Sequence, residues 1–246
     1  DTVDSAEVFG KSGKAFGRFQ KYLSDFPAES LSEIIKNFHN TIWRYENEFI
    51  PAVQADKADR AVNCGEEIKF VMHRREDCKK LVELIEKGEL PLRVTHNDTK
   101  LNNVLFDSDS DDAICVIDLD TVMPGLALYD FGDSIRFGAN SCAEDDDNYD
   151  KVELMLDYFE AYAKGFLSEA GDALNQCEID NLAFSAKLMT FECGMRFLTD
   201  YLNGDTYFKT AYPEHNLVRA KNQFALVADM ERKMEQMQQI IKNITE

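Results

Sequence analysis

The amino-acid sequence predicts a mostly helical α+β fold with a small β cluster near the middle of the chain. Apolar residues recur at helical spacing on both sides of this cluster, in a chain of 246 residues. Three short apolar runs, separated by turn-forming residues, lie between residues 92 and 117. Ionisable side chains concentrate at the edges of these runs, so we expect the functional site there.

The helical prediction rests on six segments whose apolar stripes indicate one buried face each. These segments are residues 6–24, 41–60, 66–87, 149–168, 178–202 and 216–243. We expect the second helix to stop near Pro51, because proline lacks a backbone N–H, and the third to end at Gly88. Gly10-Lys11-Ser12 in the first segment resembles the end of a phosphate-binding loop, but the complete motif is missing and we assign it no nucleotide role.

The three apolar runs, residues 92–95, 103–106 and 113–117, have the length and composition of short strands. The acidic stretch 107–112 between the last two is typical of a hairpin loop. The polar residues between the first two runs would then form a loop that is held at both ends. Such a loop is well suited to position catalytic side chains.

The charge of the chain excludes several classes of partner. Forty-six acidic and 27 basic residues give a formal net charge of −19, which repels nucleic-acid phosphates and anionic lipids. We therefore expect neither a nucleic acid nor a membrane as partner. The sequence begins at Asp1 without a signal peptide, and its six cysteines form no C-x-x-C pair. We expect a cytoplasmic protein with buried, reduced thiols, including Cys115 within an apolar run.

The loop after the first strand contains residues that suit phosphoryl transfer. Asp98 and Asn103 have the D-x-x-x-x-N spacing of a kinase catalytic loop, with His96 in the place of its histidine. The carboxylate of Asp98 can accept the proton of an attacking hydroxyl, and the amide oxygen of Asn103 can bind Mg²⁺. Lys100 can offset the charge of the migrating group.

Asp118 is the second predicted metal ligand. It follows an apolar strand directly and lies 20 residues after Asp98, a separation close to that between the base and the metal-binding Asp of kinases. The sequence Asp130-Phe131-Gly132 matches the metal motif of protein kinases literally, but no apolar strand leads into it. We therefore interpret Asp130 as a structural or helix-capping carboxylate.

Taken together, these motifs resemble the aminoglycoside phosphotransferase/choline kinase family. The resemblance rests on His96-Asn97-Asp98 with Asn103, on Ile117-Asp118-Leu119-Asp120, on Pro124 and on Tyr129-Asp130-Phe131-Gly132-Asp133. Three runs, residues 116–125, 196–208 and 212–219, are very similar to the N-acetylhexosamine 1-kinases of that family. The resemblance covers nearly the whole chain.

The resemblance implies a protein-kinase-like fold and an ATP- and Mg²⁺-dependent transfer of phosphate to a small-molecule hydroxyl. In the most similar subfamily the acceptor is the anomeric hydroxyl of N-acetylglucosamine or N-acetylgalactosamine. By this resemblance Asp98 is the base, and Asn103 and Asp118 bind Mg²⁺. Arg196 would hold sugar oxygens and Tyr207 would line the same pocket; a structural ion pair to an acidic neighbour is the alternative for Arg196.

Complete members of this family begin with a smaller β-rich lobe that binds the nucleotide. Nothing in residues 1–246 resembles that lobe, and residues 1–24 resemble the helix that follows the hinge. We therefore expect the chain to be a C-terminal catalytic lobe that is weakly active or inactive alone. Two alternatives stay open: a kinase of the same fold for choline, homoserine, an aminoglycoside or another sugar, and an inactive lobe that only binds.

Overall fold

The architecture was analysed in a computed structural model that describes residues 5–246. Helices account for most of the described chain, and the strands are short. The helices are α1 (Ala6–Tyr22), α2 (Thr41–Arg44), α3 (Ile50–Ala55), α4 (Gly65–Met72), α5 (Lys80–Glu86), α6 (Ala127–Gly138), α7 (Leu156–Ala170), α8 (Gln176–Asn203) and α9 (His215–Thr245). The strands are β1 (Arg93–Thr95), β2 (Val104–Phe106), β3 (Ala113–Val116) and β4 (Met123–Gly125). The predicted mostly helical α+β class is confirmed.

The β cluster consists of two antiparallel pairs. Strand β1 pairs with β4, with Thr95 opposite Met123, and β2 pairs with β3, with Val104 opposite Val116. The loop 96–103 therefore leaves one pair and enters the other, and a strand holds it at each end, as predicted. Strand β4 was not expected from the sequence, because its Pro and Gly residues are typical of turns.

Three predicted helices differ from the structure, and one of them, the segment 149–168, becomes α-helical only from Leu156. The segment 41–60 does not stop at Pro51: a π-helical turn over Tyr45–Phe49 precedes α3, so that Pro51 lies in the first turn of a new helical register, where its missing N–H costs nothing. The segment 66–87 divides into α4 and α5 around a bend, and it ends at Gly88, whose φ of 74° favours glycine. The end at Gly88 was predicted correctly.

The core is formed by α6, α7, α8 and α9 together with α1. Helix α8 is buried along most of its 28 residues, starts with a capping box between Asn175 and Glu178, and ends at Gly204. Helices α1 and α7 pack closely because glycines face each other. A Cβ on Gly13 would lie 2.5 Å from the carbonyl oxygen of Tyr162, too close for any side chain.

The residues that resembled a phosphate loop have a structural role. Gly10 packs against α7, where a Cβ would meet Ala161, while Lys11 reaches the acidic hairpin loop. The ammonium group of Lys11 donates to the carbonyl oxygen of Ser110 at 2.8 Å and lies 3.4 Å from Asp112. Lys11 thereby ties the β2–β3 hairpin to α1.

The expectation for the cysteines is correct in part. Cys64 and Cys78 are buried, and burial raises the pKa of their thiols to about 11 and about 12 respectively. Cys115, expected in the core, is exposed, because the two-stranded pair to which β3 belongs leaves part of that strand uncovered. Within residues 5–246, the model contains no helix with the length and hydrophobicity needed to cross a membrane.

We predict that Gly165→Ala destabilises the protein by roughly 1–3 kcal/mol, because the new Cβ would overlap the carbonyl oxygen of Gly10 and force α1 and α7 apart. The measurement is urea unfolding. Gly171→Ala is the matched control: that position has helical φ and ψ and open space around it, so its stability should stay the same or rise by about 0.5 kcal/mol. Equal effects of the two changes would contradict the packing argument.

Candidate active site

The conformation of the loop 96–103 depends on a buried carboxylate in α6. Asp130 is 1% exposed, and it accepts the backbone N–H groups of His96 at 3.0 Å and Asn97 at 2.8 Å and the side-chain amide of Gln20 at 2.8 Å. Burial raises the pKa of the Asp130 carboxyl, whereas these donors favour its charged form. The structural role predicted for Asp130 is the one that the hydrogen bonds show.

A second carboxylate, one turn further along α6, holds the next part of the loop. Asp133 accepts the N–H of Thr99 at 3.1 Å and the guanidinium of Arg136 at 2.9 Å. The hydroxyl of Thr99 in turn donates to the backbone carbonyl of Asp130 at 2.6 Å. Burial alone would raise the pKa of Asp133, but Arg136 outweighs it and the pKa is lowered.

His96 links the loop to the end of β3. One ring nitrogen accepts the N–H of Asp98 at 3.3 Å, so the other is left to donate to the carbonyl oxygen of Ile117 at 2.9 Å. The rings of Phe16 and Phe19 pack edge-on against the imidazole. With both nitrogens engaged and the side chain fully buried, His96 positions Asp98 and is not available to a substrate.

Three predicted residues of the loop are in direct contact. The amide of Asn103 donates to Asp98 Oδ2 at 3.0 Å and to the Asp98 carbonyl at 2.7 Å, and Lys100 Nζ lies 3.0 Å from the same Oδ2. Among the described residues, no group donates to Asp98 Oδ1 or to Asn103 Oδ1. The loop therefore presents one carboxylate oxygen and one amide oxygen with free lone pairs.

The backbone at Asp118 lies close to that of Asn103. The N–H of Ile117 donates to the carbonyl oxygen of Asn103 at 2.9 Å, which places Asp118 immediately beyond that bond. Asp118 is exposed and has left-handed backbone angles, φ 62° and ψ 61°, which are uncommon for a residue with a side chain and recur at functional sites. Its carboxylate makes no hydrogen bond or ion pair with any part of the chain that the structure describes.

This donor set fits Mg²⁺ chemically. Magnesium binds a few hard oxygen ligands and completes its shell with water and phosphate oxygens, so that a carboxylate such as Asp118 and the amide oxygen of Asn103 would be suitable protein ligands. In residues 5–246 there is no group of three or more His, Cys, Asp or Glu side chains placed to hold a metal by themselves. A cage made only of protein ligands is thus not part of the described chain.

The other predicted side chains meet at one cavity of about 470 Å³. Asp98, Lys100, Arg196 and Tyr207 all line it, whereas Asn103 and Asp118 do not. The six predicted site residues thus divide into a cavity group and a pair beside the loop. The sequence analysis missed other residues of the cavity wall: Phe38, His39, Glu192, Phe208 and Lys209.

Arg196 is held by aromatic rings. Its guanidinium carbon lies 5.2 Å from the ring centre of Phe38, 5.9 Å from that of Tyr207 and 5.5 Å from that of Phe208. Within residues 5–246 it forms no ion pair and donates no hydrogen bond, so the alternative of a structural ion pair is not realised. Stacking fixes the group and leaves its N–H donors free for a ligand.

Asp200 fixes the loop that places Tyr207. Its buried carboxylate accepts the backbone N–H groups of Thr206, Tyr207 and Phe208, each at 2.9 Å, and the side-chain amide of Asn216 at 2.9 Å. The ring of Tyr207 remains 68% exposed at the mouth of the cavity. The chain after α8 thus folds around the Asp200 carboxylate, and this fold brings Tyr207 close to Arg196.

The chain matches a model of a protein family and solved structures. The model of the phosphotransferase enzyme family (APH) matches residues 3–165. Among solved structures, an ethanolamine kinase of Plasmodium vivax is similar with a TM-score of 0.56 and 16% sequence identity. The similarity covers 90% of this chain and 62% of that one, so this chain spans less than two thirds of the kinase's length. At this identity the likeness shows a shared fold, and the prediction of a kinase-like fold is confirmed.

We predict a pH-dependent contribution of Asp133 to stability. Above the ordinary pKa of 3.8, its carboxylate is charged in the folded and the unfolded chain, and its stabilisation is fully present. Below that pH the unfolded chain binds a proton first, and the contribution is lost as the pH falls through the lowered pKa of the folded state. The difference in unfolding free energy between the wild type and Asp133→Asn should therefore be constant near neutral pH and shrink towards about pH 3.

The measurement is urea unfolding at each pH, with the exposed Asp172→Asn as control. The control should differ little from the wild type at any pH. A difference for Asp133→Asn that grows on acidification would contradict the prediction.

Proposed function

Because the chain belongs to the phosphotransferase enzyme family, we propose that it transfers the γ-phosphoryl group of ATP to a hydroxyl group of a small molecule. The observation that supports this most directly is the placement of Asp98. Its free Oδ1 belongs to a side chain that lines the cavity with Arg196, while its other oxygen contacts Asn103, one of the two predicted metal ligands. Acceptor and nucleotide would meet at this carboxylate.

The proposed reaction requires few groups from the protein. The acceptor oxygen forms a bond to the γ-phosphorus, the bond from that phosphorus to the β–γ bridging oxygen breaks, and ADP leaves. Asp98 Oδ1 accepts the proton of the acceptor hydroxyl, while Asn103 and Lys100 hold Oδ2 and fix the direction of the carboxylate. Asn103 Oδ1 and Asp118 would hold Mg²⁺, which would supply charge neutralisation for the phosphates.

We propose that the acceptor is an N-acetylhexosamine, phosphorylated at its anomeric hydroxyl. A cavity of about 470 Å³ accommodates a monosaccharide. Arg196 offers unpaired forked donors to hydroxyl oxygens, and stacked aromatic rings suit the apolar face of a sugar.

The charges of the cavity favour this neutral acceptor over a cationic one such as choline, ethanolamine or an aminoglycoside. The carboxylates of the wall are already paired with cations, in the contacts Asp98–Lys100, Asp133–Arg136, Glu144–Arg136 and Glu192–Arg44. Arg196 and Lys209 have no acidic partner among the described residues. An ammonium group would thus meet cations that nothing offsets.

We also propose that residues 1–246 correspond to the C-terminal catalytic lobe. The segment 1–24, which contains α1, would then correspond to the helix after the hinge; its residues 1–4 lie outside the described part. The share of the Plasmodium vivax kinase that the likeness covers, 62%, supports this assignment. Activity is therefore to be measured on the protein that the whole gene encodes.

The acceptor is tested with a substrate panel. With ATP and Mg²⁺, kcat/KM should be highest for N-acetylglucosamine or N-acetylgalactosamine, and lower for glucose, homoserine, choline, ethanolamine and an aminoglycoside, measured by coupled ADP release. Asp98→Asn should lower kcat by about 10²–10⁴, because the proton acceptor is lost. The exposed Asp109→Asn, on the hairpin loop, is the control and should retain activity. A higher kcat/KM for a cationic acceptor would refute the proposed substrate, and unchanged turnover in Asp98→Asn would refute the mechanism.

The metal ligands are tested separately. Asp118→Asn should raise the Mg²⁺ concentration for half-maximal activity at least about tenfold, since a charged ligand is replaced by a neutral one. Binding of N-acetylglucosamine without nucleotide should stay unchanged, because Asp118 does not line the cavity. Asp111→Asn, a nearby exposed position whose left-handed backbone Asn tolerates, is the matched control. An unaltered Mg²⁺ dependence of Asp118→Asn would remove Asp118 from the site.

A further inference from the structure

A second cavity, of about 510 Å³, lies next to the cavity that Asp98 lines, which we call the acceptor cavity. Arg196, Tyr207 and Phe208 line both cavities and therefore form the wall between them. The opposite side of the second cavity is formed by α3 and by residues of the segment 35–48. No residue of the loop 96–103 lines it, so the proposed mechanism does not use this cavity.

The second cavity is cationic, although the whole chain has a net charge of −19. Its charged side chains are four cations and two carboxylates, namely Lys36, Arg44, Lys57 and Arg196, and Glu48 and Asp200. Two positive charges therefore remain. Arg44 is paired with Glu48 at 2.7 Å, whereas Lys36, Lys57 and Arg196 form no ion pair within residues 5–246.

The remaining carboxylate, Asp200, is not available as a partner for these cations. It is 5% exposed, and its two oxygens already accept the N–H groups of Thr206, Tyr207 and Phe208 and the side-chain amide of Asn216. A carboxylate with four donors gains little from a fifth, so the two lysines are left without an acceptor on the protein.

The end of α8 also borders the second cavity, and free carbonyl groups at a helix C-terminus attract cations. In this helix the carbonyl groups of the last turn are occupied. The carbonyl oxygen of Asp200 accepts the N–H of Asp205 at 2.8 Å, and that of Tyr201 accepts the N–H of Gly204 at 3.2 Å and the guanidinium of Arg60 at 3.0 Å. The helix end therefore does not offset the positive charge of the cavity.

The rest of the lining is suited to a hydroxylated ring. The side-chain amide of Asn203 makes no hydrogen bond in the described part of the chain, and Asn47 uses its amide only towards the carbonyl oxygen of Trp43. Such amides can bind sugar hydroxyls, and the rings of Tyr207 and Phe208 can pack against the apolar face of a sugar. Guanidinium and ammonium groups bind phosphate oxygens.

We propose that the second cavity binds a sugar phosphate, whose phosphate group is held by Lys36, Lys57 and Arg196. The sugar 1-phosphate that the proposed reaction forms is such a compound, so this inference rests on the proposed function and adds regulation to it. Arg196 belongs to both cavities, and its guanidinium serves one ligand at a time. Occupation of the second cavity therefore weakens acceptor binding, and accumulated product slows its own formation.

The second cavity is tested by binding measurements on the protein that the whole gene encodes. Isothermal titration calorimetry without nucleotide gives the Kd values of N-acetylglucosamine 1-phosphate, N-acetylglucosamine and inorganic phosphate. The double variant Lys36→Gln/Lys57→Gln removes two cations from the second cavity and none from the acceptor cavity, which neither lysine lines. The matched control is Lys87→Gln/Lys151→Gln, which changes the net charge equally at two exposed positions elsewhere.

We expect the double variant to raise the Kd of N-acetylglucosamine 1-phosphate at least about tenfold, because two charged donors to the phosphate are lost. The Kd of N-acetylglucosamine should stay the same, and so should kcat/KM without added product. Inorganic phosphate should bind the wild type at least about tenfold more weakly than the sugar phosphate, since it reaches neither the amides nor the rings. Added N-acetylglucosamine 1-phosphate should raise the KM for N-acetylglucosamine more in the wild type than in the double variant.

The outcomes distinguish this inference from the proposed function. If the Kd of the sugar phosphate is unchanged in the double variant, or rises equally in the control, the second cavity is not its site and the inference is overturned. Equal affinities for inorganic phosphate and the sugar phosphate overturn the ligand class. If the wild type does not phosphorylate N-acetylglucosamine but binds the sugar phosphate through Lys36 and Lys57, the proposed function fails and the second site is supported.

Discussion

The geometry of the candidate site depends above all on the hydrogen bonds between α6 and the backbone of the loop 96–103. Asp130 and Asp133, three residues apart on one helical face, together bind the N–H groups of His96, Asn97 and Thr99. A loop that makes few backbone bonds of its own is thereby attached to a helix that is buried along most of its length. The direction of the Asp98 carboxylate follows from that attachment, because the residues on both sides of it are fixed.

The net charge of −19 and the local charge of the cavity have opposite consequences. A uniformly acidic site would repel ATP and attract cationic acceptors. In the cavity, however, Asp133 pairs with Arg136 and Glu192 lies 3.9 Å from Arg44, whereas the unpaired groups, Arg196 and Lys209, are cationic. The acidic surface therefore affects which macromolecules approach the protein, whereas in the proposed function the pairing inside the cavity would decide which small molecule fits.

The loop chemistry was predictable because it is local in sequence. Asp98 and Asn103 are five residues apart, and strands on both sides restrict how they can be arranged, so their contact follows from spacing. The structural role of Asp130 could be inferred only from the lack of an apolar strand before it. Its hydrogen-bond partners could not be predicted, because they lie more than 30 residues away in the sequence. The pair His39–Glu192 spans 153 positions, and nothing near either residue in the sequence indicates it. The prediction that the helix stops near Pro51 was wrong, because a π-helical turn precedes α3 and places Pro51 in the first turn of that helix.

Helix α8 explains how one fold can keep the chemistry and change the acceptor. Glu192 and Arg196 are one turn apart on this helix, and both face the cavity. Glu192 is hydrogen-bonded to His39 and Thr41, whereas Arg196 lies among aromatic rings with its donors free. Neither side chain forms a hydrogen bond or an ion pair with the loop 96–103, which is held by α6. Under the proposed function, substitutions on α8 would therefore alter the recognised molecule without disturbing the proton acceptor, which would make acceptor specificity physically separable from phosphoryl transfer.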